Sequence, residues 1–262
     1  MKIDELVKVN ENELPLEDIK SDGGYISIFR NIACIGDSLS SGEFEYVKGD
    51  IHEWHDKYEY SWGQYIARMA GVKVYNFSRG GMSCKEYINT FANEINAYDE
   101  AKKCEAYIIA LGVNDLFNDG CKLELGDIDD LENNKDTMSN YYQQIILKYK
   151  KIAPNAKFFF VSMPNEGEEE TPSNKKLAHR ELLYKFAEKY SNSYVIDLYK
   201  YAPTYDQDFK EKFFFHGHMN ACGYKLTGLM IASYIDYIIR HNFKAFTQAG
   251  FINTDRYDTD LD

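Results

Sequence analysis

Five short apolar runs punctuate this chain, at residues 32–35, 72–77, 106–111, 157–161 and 194–197, and each closes on small or polar residues. Runs of four to six apolar residues without strict alternation predict strands buried on both faces. The segments between them carry helix signals. Ser61 is placed to cap a helix over 62–70 with Gly71 as its stop, and Ser83 to open one reaching about Ala97. Residues 137–152 form a third, ended by Pro154, and Ser173 opens a fourth to about Tyr190. The last, 221–240, sets Leu226, Leu229, Met230, Ser233, Tyr234, Tyr237 and Ile238 at helical spacing. Strands alternating with helices predict an α/β domain, a parallel sheet covered on both faces.

The flanks read differently. Residues 1–30 are polar and mixed, with Pro15 and a turn at 21–24, and predict an extension wrapping the domain, with 25–29 a short edge strand. Residues 41–60 predict a long loop rich in acids and aromatics, and the chain after Asn242 a polar, loosely attached tail. The division expected is therefore 1–30 extension, 31–242 domain, 243–262 tail, with no internal repeat.

Composition narrows the function classes. A net charge of −12 over 262 residues argues against a nucleic-acid or anionic-membrane partner and suits neutral substrates such as esters or sugars. Five cysteines without metal-ligand spacing predict reduced thiols. The first five residues turn acidic at once, unlike a signal peptide, and no run of about 18 apolar residues exists, so a cytoplasmic location is expected.

The candidate chemistry sits just past the strand ends, where open parallel sheets bind ligands. Gly36 lets the chain turn after the first strand and lifts Ser38 clear; Gly81 follows the second strand, Asn114 the third, and His218 precedes the last helix. Acyl transfer needs a nucleophile, a base and donors for an oxyanion, and these four residues are of the types that supply them. Gly-Asp-Ser alone is also ordinary turn chemistry, with Asp37 bracing the turn.

Taken together, Gly36-Asp37-Ser38-Leu39, Asn76 through Gly81, Gly112-Val113-Asn114-Asp115, and His218 through Asn220-Ala221 to Gly223-Tyr224 resemble the four motif blocks of the SGNH (GDSL) esterase/lipase superfamily, in order, over residues 30–240. The resemblance implies a flavodoxin-like three-layer αβα sandwich with five parallel strands. It also implies Ser38 as nucleophile, His218 as general base, and an oxyanion hole from the Ser38 and Gly81 N–H groups and the Asn114 amide.

One departure matters. The superfamily places an aspartate three residues before the histidine, to hold the imidazole's tautomer and stabilise its charged form; here Phe215 stands there. Support from the Phe215 carbonyl, a relocated Asp206 or Asp208, and loss of activity are all open. His216 with His218 resembles a metal pair but lacks a supporting carboxylate or cysteine, so neither metal nor cofactor is expected. His52, His55, His179 and His241 read as surface bystanders, the acidic run 166–170 as a solvated loop, and Arg79 as an ion-pair partner or substrate contact. The aromatics of 43–60 suit sugar stacking, an acyl chain or plain packing.

The expected function is a serine esterase acting on short acyl groups, with carbohydrate O-acetyl esters favoured. The rivals are an inactive relative that binds a glycan or small ligand, a lysophospholipase or thioesterase, and a flavodoxin-like cofactor binder using the 36–42 loop for phosphate.

Overall fold

Among the described residues nine strands form in chain order: β1 (Asn31–Gly36), β2 (Glu43–Lys48), β3 (Ile51–Asp56), β4 (Lys73–Ser78), β5 (Ala106–Ala110), β6 (Lys157–Val161), β7 (Ser193–Ile196), and the two-residue β8 (Phe214–Phe215) and β9 (His218–Met219). The helices that matter for the site are α1 (Ser38–Ser41), α2 (Trp62–Ala70), α3 (Val113–Phe117), α4 (Met138–Ile152), α5 (Lys175–Lys189), α6 (Gln207–Phe213) and α7 (Ala221–Arg240). The computed structural model describes residues 2–7, 9–10, 12–168, 171 and 174–261.

The five apolar runs make one parallel sheet in the order β4-β1-β5-β6-β7. This is the doubly wound order in which the chain starts near the middle, goes one way, then returns to build the other half. Aromatic side chains fill both faces. Tyr107 stacks on Phe158 with ring centroids 5.2 Å apart, and Tyr142 of α4 meets Phe160 edge-on at 5.8 Å while its hydroxyl donates to the Ile109 carbonyl at 3.2 Å. Burying such a ring stabilises the fold by about 1.5–3 kcal/mol, which explains why β5 and β6 need no alternation.

Local caps follow the sequence. Ser61 accepts from the Gln64 N–H, Thr137 from Asn140 and Asn220 from Gly223, and Gly71 ends α2 at φ 68°. Asn174 caps α5 through its side-chain oxygen, whereas Ser173 lies outside the described residues, as do Glu169 and Glu170 of the acidic run. The segment opened by Ser83 is helical but interrupted by a wider π turn at Tyr87–Phe91.

Three expectations differ from the structure. Residues 25–29 are not a strand: Gly24–Ile28 is a 3₁₀ helix, in which the Tyr25 N–H is taken by buried Asp236 at 2.8 Å and not by a strand partner. Residues 43–56 are not a loop but an antiparallel hairpin, turned by Gly49-Asp50 with Gly49 at φ 60°. The terminal tail is packed, with Phe246, Ala249 and Ile252 buried and the Asn253 amide donating to the Cys104 carbonyl at 2.8 Å. The N-terminal extension is likewise stapled to α7, where buried Arg240 pairs with Glu13 at 2.6 Å and Asp236 at 2.7 Å. No helix among the described residues is long and apolar enough to cross a membrane.

Candidate active site

Ser38 is the first residue of α1, directly past the carboxyl end of β1. Gly36 makes that turn possible, since a Cβ there would lie 2.9 Å from the Ala110 carbonyl and collide with the Ser40 hydroxyl. Asp37 caps the helix, accepting from the Leu39 N–H at 3.1 Å. Its second carboxyl oxygen is buried without a partner. Burial pushes this carboxyl up to about 7; nearby Asp115 adds to the rise, while the Leu39 N–H and His218 oppose it. The Ser38 N–H opens the helix, where no carbonyl of its own helix can reach it.

Two contacts draw the β4 and β5 ends together. The Asn114 amide, in the first turn of α3, donates to the Met82 carbonyl at 3.2 Å, and the Cys84 N–H donates to buried Asp115 at 3.0 Å. Burial lifts Asp115 to about 6 despite that bond. Asn118 donates to the Asn114 oxygen at 3.2 Å, fixing the amide's orientation, and the second hydrogen of its NH₂ remains for a ligand. Gly81, at φ 71° with open space where a Cβ would project, is exposed one residue before Met82 and is not part of the cleft wall.

Ser38, Asn114 and His218 line one cleft of about 440 Å³, with Leu39, Met163 and Tyr205 among its apolar walls and Lys176 at its rim. His218 leads β9, paired in register with Phe215 of β8. Its partners come from the hairpin. Glu45 Oε2 lies 3.3 Å from Nδ1 and Glu43 Oε1 lies 3.1 Å from Nε2. Glu45 is buried and also accepts the Gly217 N–H at 2.5 Å and a ring nitrogen of His52. Glu43 fills the space against Gly80, and Tyr224 of α7 donates to the Glu43 carbonyl at 2.5 Å, anchoring the hairpin at its root.

The electrostatics follow. Burial disfavours the charged imidazole, but hydrogen bonds to Glu43 and Glu45, with their charges, outweigh it and hold His218 above its usual value. Only the doubly protonated ring gives both carboxylates a donor. For Glu45, burial works upward, and the His52, Gly217 and His218 contacts outweigh it, keeping the carboxyl below its usual range.

The residues considered as support for His218 sit elsewhere. Asp206 caps α6 by accepting from the Phe209 N–H at 3.0 Å, Asp208 pairs with Lys212 at 2.6 Å, and Phe215 is half-exposed opposite the histidine in the ladder. Arg79 pairs with Glu86 and Glu94, acids of the helical segment that follows it. Of the histidines read as surface bystanders, one is buried and one, on the surface, braces Glu45. His179 is fully buried under Gly112, its Nε2 on the Leu111 carbonyl at 3.2 Å, and burial pushes it down to about 4. His52 backs Glu45. The roles of Glu43, Glu45 and His52 thus went unread, although Gly49-Asp50 is a two-residue hairpin-turn signal. Among the described residues no group of three or more His, Cys, Asp or Glu is gathered to hold a metal.

The model of the GDSL-like Lipase/Acylhydrolase family matches residues 32–244. The chain belongs to that family. This GDSL hydrolase matches no curated protein sequence, and its likeness to solved structures is one of fold. It superposes on a carbohydrate esterase family 2 enzyme with a carbohydrate binding domain from Corynascus thermopiles (Myceliophthora fergusii) with TM-score 0.56 and 18% identity, covering 80% of this chain and 66% of that one. A family two carbohydrate esterase from Clostridium thermocellum, solved with cellohexaose, gives TM-score 0.57 and 16% identity, covering 82% and 65%. Est24, a carbohydrate acetylesterase from Sinorhizobium meliloti, gives 0.52 and 16%, covering 80% and 99%.

Proposed function

We propose that this GDSL hydrolase is a serine esterase that cleaves short-acyl esters of carbohydrates through an acyl-enzyme on Ser38. The observation that carries the reading is the company His218 keeps: an imidazole braced at Nδ1 by the buried Glu45 carboxylate, in the cleft that Ser38 and Asn114 also line. A hydroxyl, a histidine backed by a carboxylate and an amide donor lining one cleft are the equipment of acyl transfer.

In the proposed reaction Nε2 exchanges its Glu43 contact for the Ser38 hydroxyl and takes its proton as Oγ attacks the acyl carbon. The Ser38 N–H and the Asn114 amide would receive the oxyanion, whereas Gly81, expected to join them, stands outside the cleft wall. Collapse expels the alcohol, protonated by His218, and leaves the acyl group on Ser38. Water, deprotonated by His218, then releases the acid and restores the hydroxyl. Glu45 holds the ring's tautomer throughout, the task of the aspartate missing at position 215.

A carbohydrate alcohol is favoured by the hairpin's pairing. Glu45 lies opposite Trp54, and Val47 opposite His52, so Val47, His52 and Trp54 share the face of Glu43 and Glu45. Trp54 is 52% exposed and has the His52 ring against it at 4.2 Å, a platform of the kind pyranose rings stack on. The carbohydrate esterases among the similar folds agree with this class. Release of acetate from an O-acetylated xylo-oligosaccharide, compared between wild type and Ser38→Ala, tests the reading; equal rates in both would end it.

A second reading draws on Glu43. With that carboxylate at Nε2, the site is also arranged as a glycan binder without turnover. Binding of the same oligosaccharide by calorimetry without serine-dependent hydrolysis would favour it.

A further inference from the structure

A separate cavity lies immediately behind Ser38, roofed by Thr227 and Ile231 of α7 and floored by Ala110 and Val161 at the ends of β5 and β6. Leu39, Val113, Met163, Pro164 and Tyr205 line both this cavity and the Ser38 cleft, so the two share one wall. Its surface is carbon. The hydroxyls in the wall are engaged elsewhere: Ser40 accepts from the Trp62 indole at 3.2 Å, Ser162 from the Tyr199 N–H at 2.9 Å, and Thr227 donates to the Gly223 carbonyl at 3.0 Å. Among the described residues, the buried side-chain oxygen of this wall left without a partner is the second carboxyl oxygen of Asp37, next to the nucleophile. Burial lifts that acid to about 7, so a large share of it is uncharged near neutrality and compatible with an apolar neighbour.

We infer that this cavity receives the acyl tail of the substrate, and that the preferred acyl group is butyryl to hexanoyl rather than acetyl. The inference rests on the ester-hydrolase reading of the Ser38 cleft and names the acid half of its substrate. Position argues for it: Asp37 and Leu39, the residues on either side of the nucleophile, line the cavity, and Leu39 lines the cleft as well, so an acyl carbon bonded to Ser38 Oγ lies next to the shared wall. Size sets the length. The cavity measures about 70 Å³, on a scale where one water needs about 10–15 Å³, which leaves room for roughly five to seven water-sized groups. A tail of about three to five carbons beyond the carbonyl fills that space with slack for its shape. An acetyl group, with one methyl, would leave most of it empty, and an octanoyl tail would exceed it.

The test is the chain-length profile of kcat/KM on p-nitrophenyl acetate, butyrate, hexanoate and octanoate, with Ser38→Ala as control. Each methylene taken up by an apolar pocket raises kcat/KM roughly fourfold, so butyrate is expected about tenfold or more above acetate, with a fall at octanoate. Ile231→Phe, which fills the far end, is expected to lower the hexanoate-to-acetate ratio at least tenfold. The wild-type profile stands whether or not that variant folds. Serine-dependent turnover that is fastest on acetate overturns the inference and leaves the esterase reading intact. A profile still rising at octanoate overturns the size limit, and with it the assignment of this cavity. Absence of Ser38-dependent turnover on every ester overturns the underlying reading and the inference together.

Discussion

The Glu45 carboxylate lies 3.3 Å from Nδ1 of His218 and 2.5 Å from the Gly217 N–H, although 172 residues separate Glu45 from that glycine. A carboxylate so placed fixes the ring's orientation and, in acyl transfer, would stabilise an imidazolium formed during attack. Glu45→Gln keeps the shape but removes the charge. It is expected to lower kcat by about two to four orders of magnitude with little change in KM, and to bring the imidazole's titration, followed by NMR, down from its raised position. Asp206→Asn and Asp208→Asn should leave both readouts near wild type. A Glu45→Gln enzyme with wild-type kcat would remove Glu45 from the mechanism.

The second carboxylate on the ring makes a different prediction. Base catalysis needs neutral His218, and its raised pKa means that this form gathers only above the ordinary imidazole range near pH 6.5. The acidic limb of kcat/KM should lie above that value, and Glu43→Gln, which removes one of the two charges at the ring, should move the limb downward. The sign for stability is opposite. A group whose pKa is raised on folding stabilises fully below its unfolded value and loses that contribution as pH rises through the folded value. The Tm of wild type should therefore exceed that of Glu43→Gln by more at pH 5.5 than at pH 8.5. A limb that stays put or moves upward in the variant contradicts the pairing.

Asn114 carries the most direct oxyanion prediction. Its amide is already oriented by Asn118 and tied to Met82, so one N–H is fixed before substrate arrives. Asn114→Ala should cost about 10²–10³-fold in kcat, as loss of one such donor does, while circular dichroism stays that of the wild type. Retained kcat would place the oxyanion elsewhere.

The hairpin root is testable through stability. Tyr224 donates to the Glu43 carbonyl at 2.5 Å from a ring that is itself buried. Tyr224→Phe removes the donor without a cavity and should cost about 0.5–1.5 kcal/mol in urea unfolding. Because the same bond fixes the strand that carries both glutamates, kcat should fall as well. Unchanged stability and kcat would mean that the hairpin is held by its other contacts alone.

The sheet was readable because its central strands β1, β5 and β6 are buried on both faces and so appear as largely apolar runs; β5 and β6 match residues 106–111 and 157–161 within a residue. The last helix was equally plain, since apolar residues recur at helical spacing along it and Asn220 caps its start. The hairpin was not, because both its faces carry charged and aromatic residues and one face is mostly in water. Its polar inward positions, Glu43 and Glu45, look like any solvated strand until the fold sets His218 beside them. The packed tail hid for a related reason: three apolar residues, Phe246, Ala249 and Ile252, are enough to seat it, too few to set a period. His179 likewise gave no sign of burial, since a single histidine that replaces water with one carbonyl is visible only in three dimensions.

Mechanism-based labelling tests the central claim most directly. An alkyl fluorophosphonate, which phosphonylates a serine only when a base activates it, should add one group to the intact protein, and peptide mapping should place it on Ser38. The adduct should be absent from Ser38→Ala and form far more slowly in His218→Ala and Glu45→Gln. An unlabelled wild-type protein, or a label on another residue, would contradict the assignment of Ser38, His218 and Glu45 as one catalytic unit.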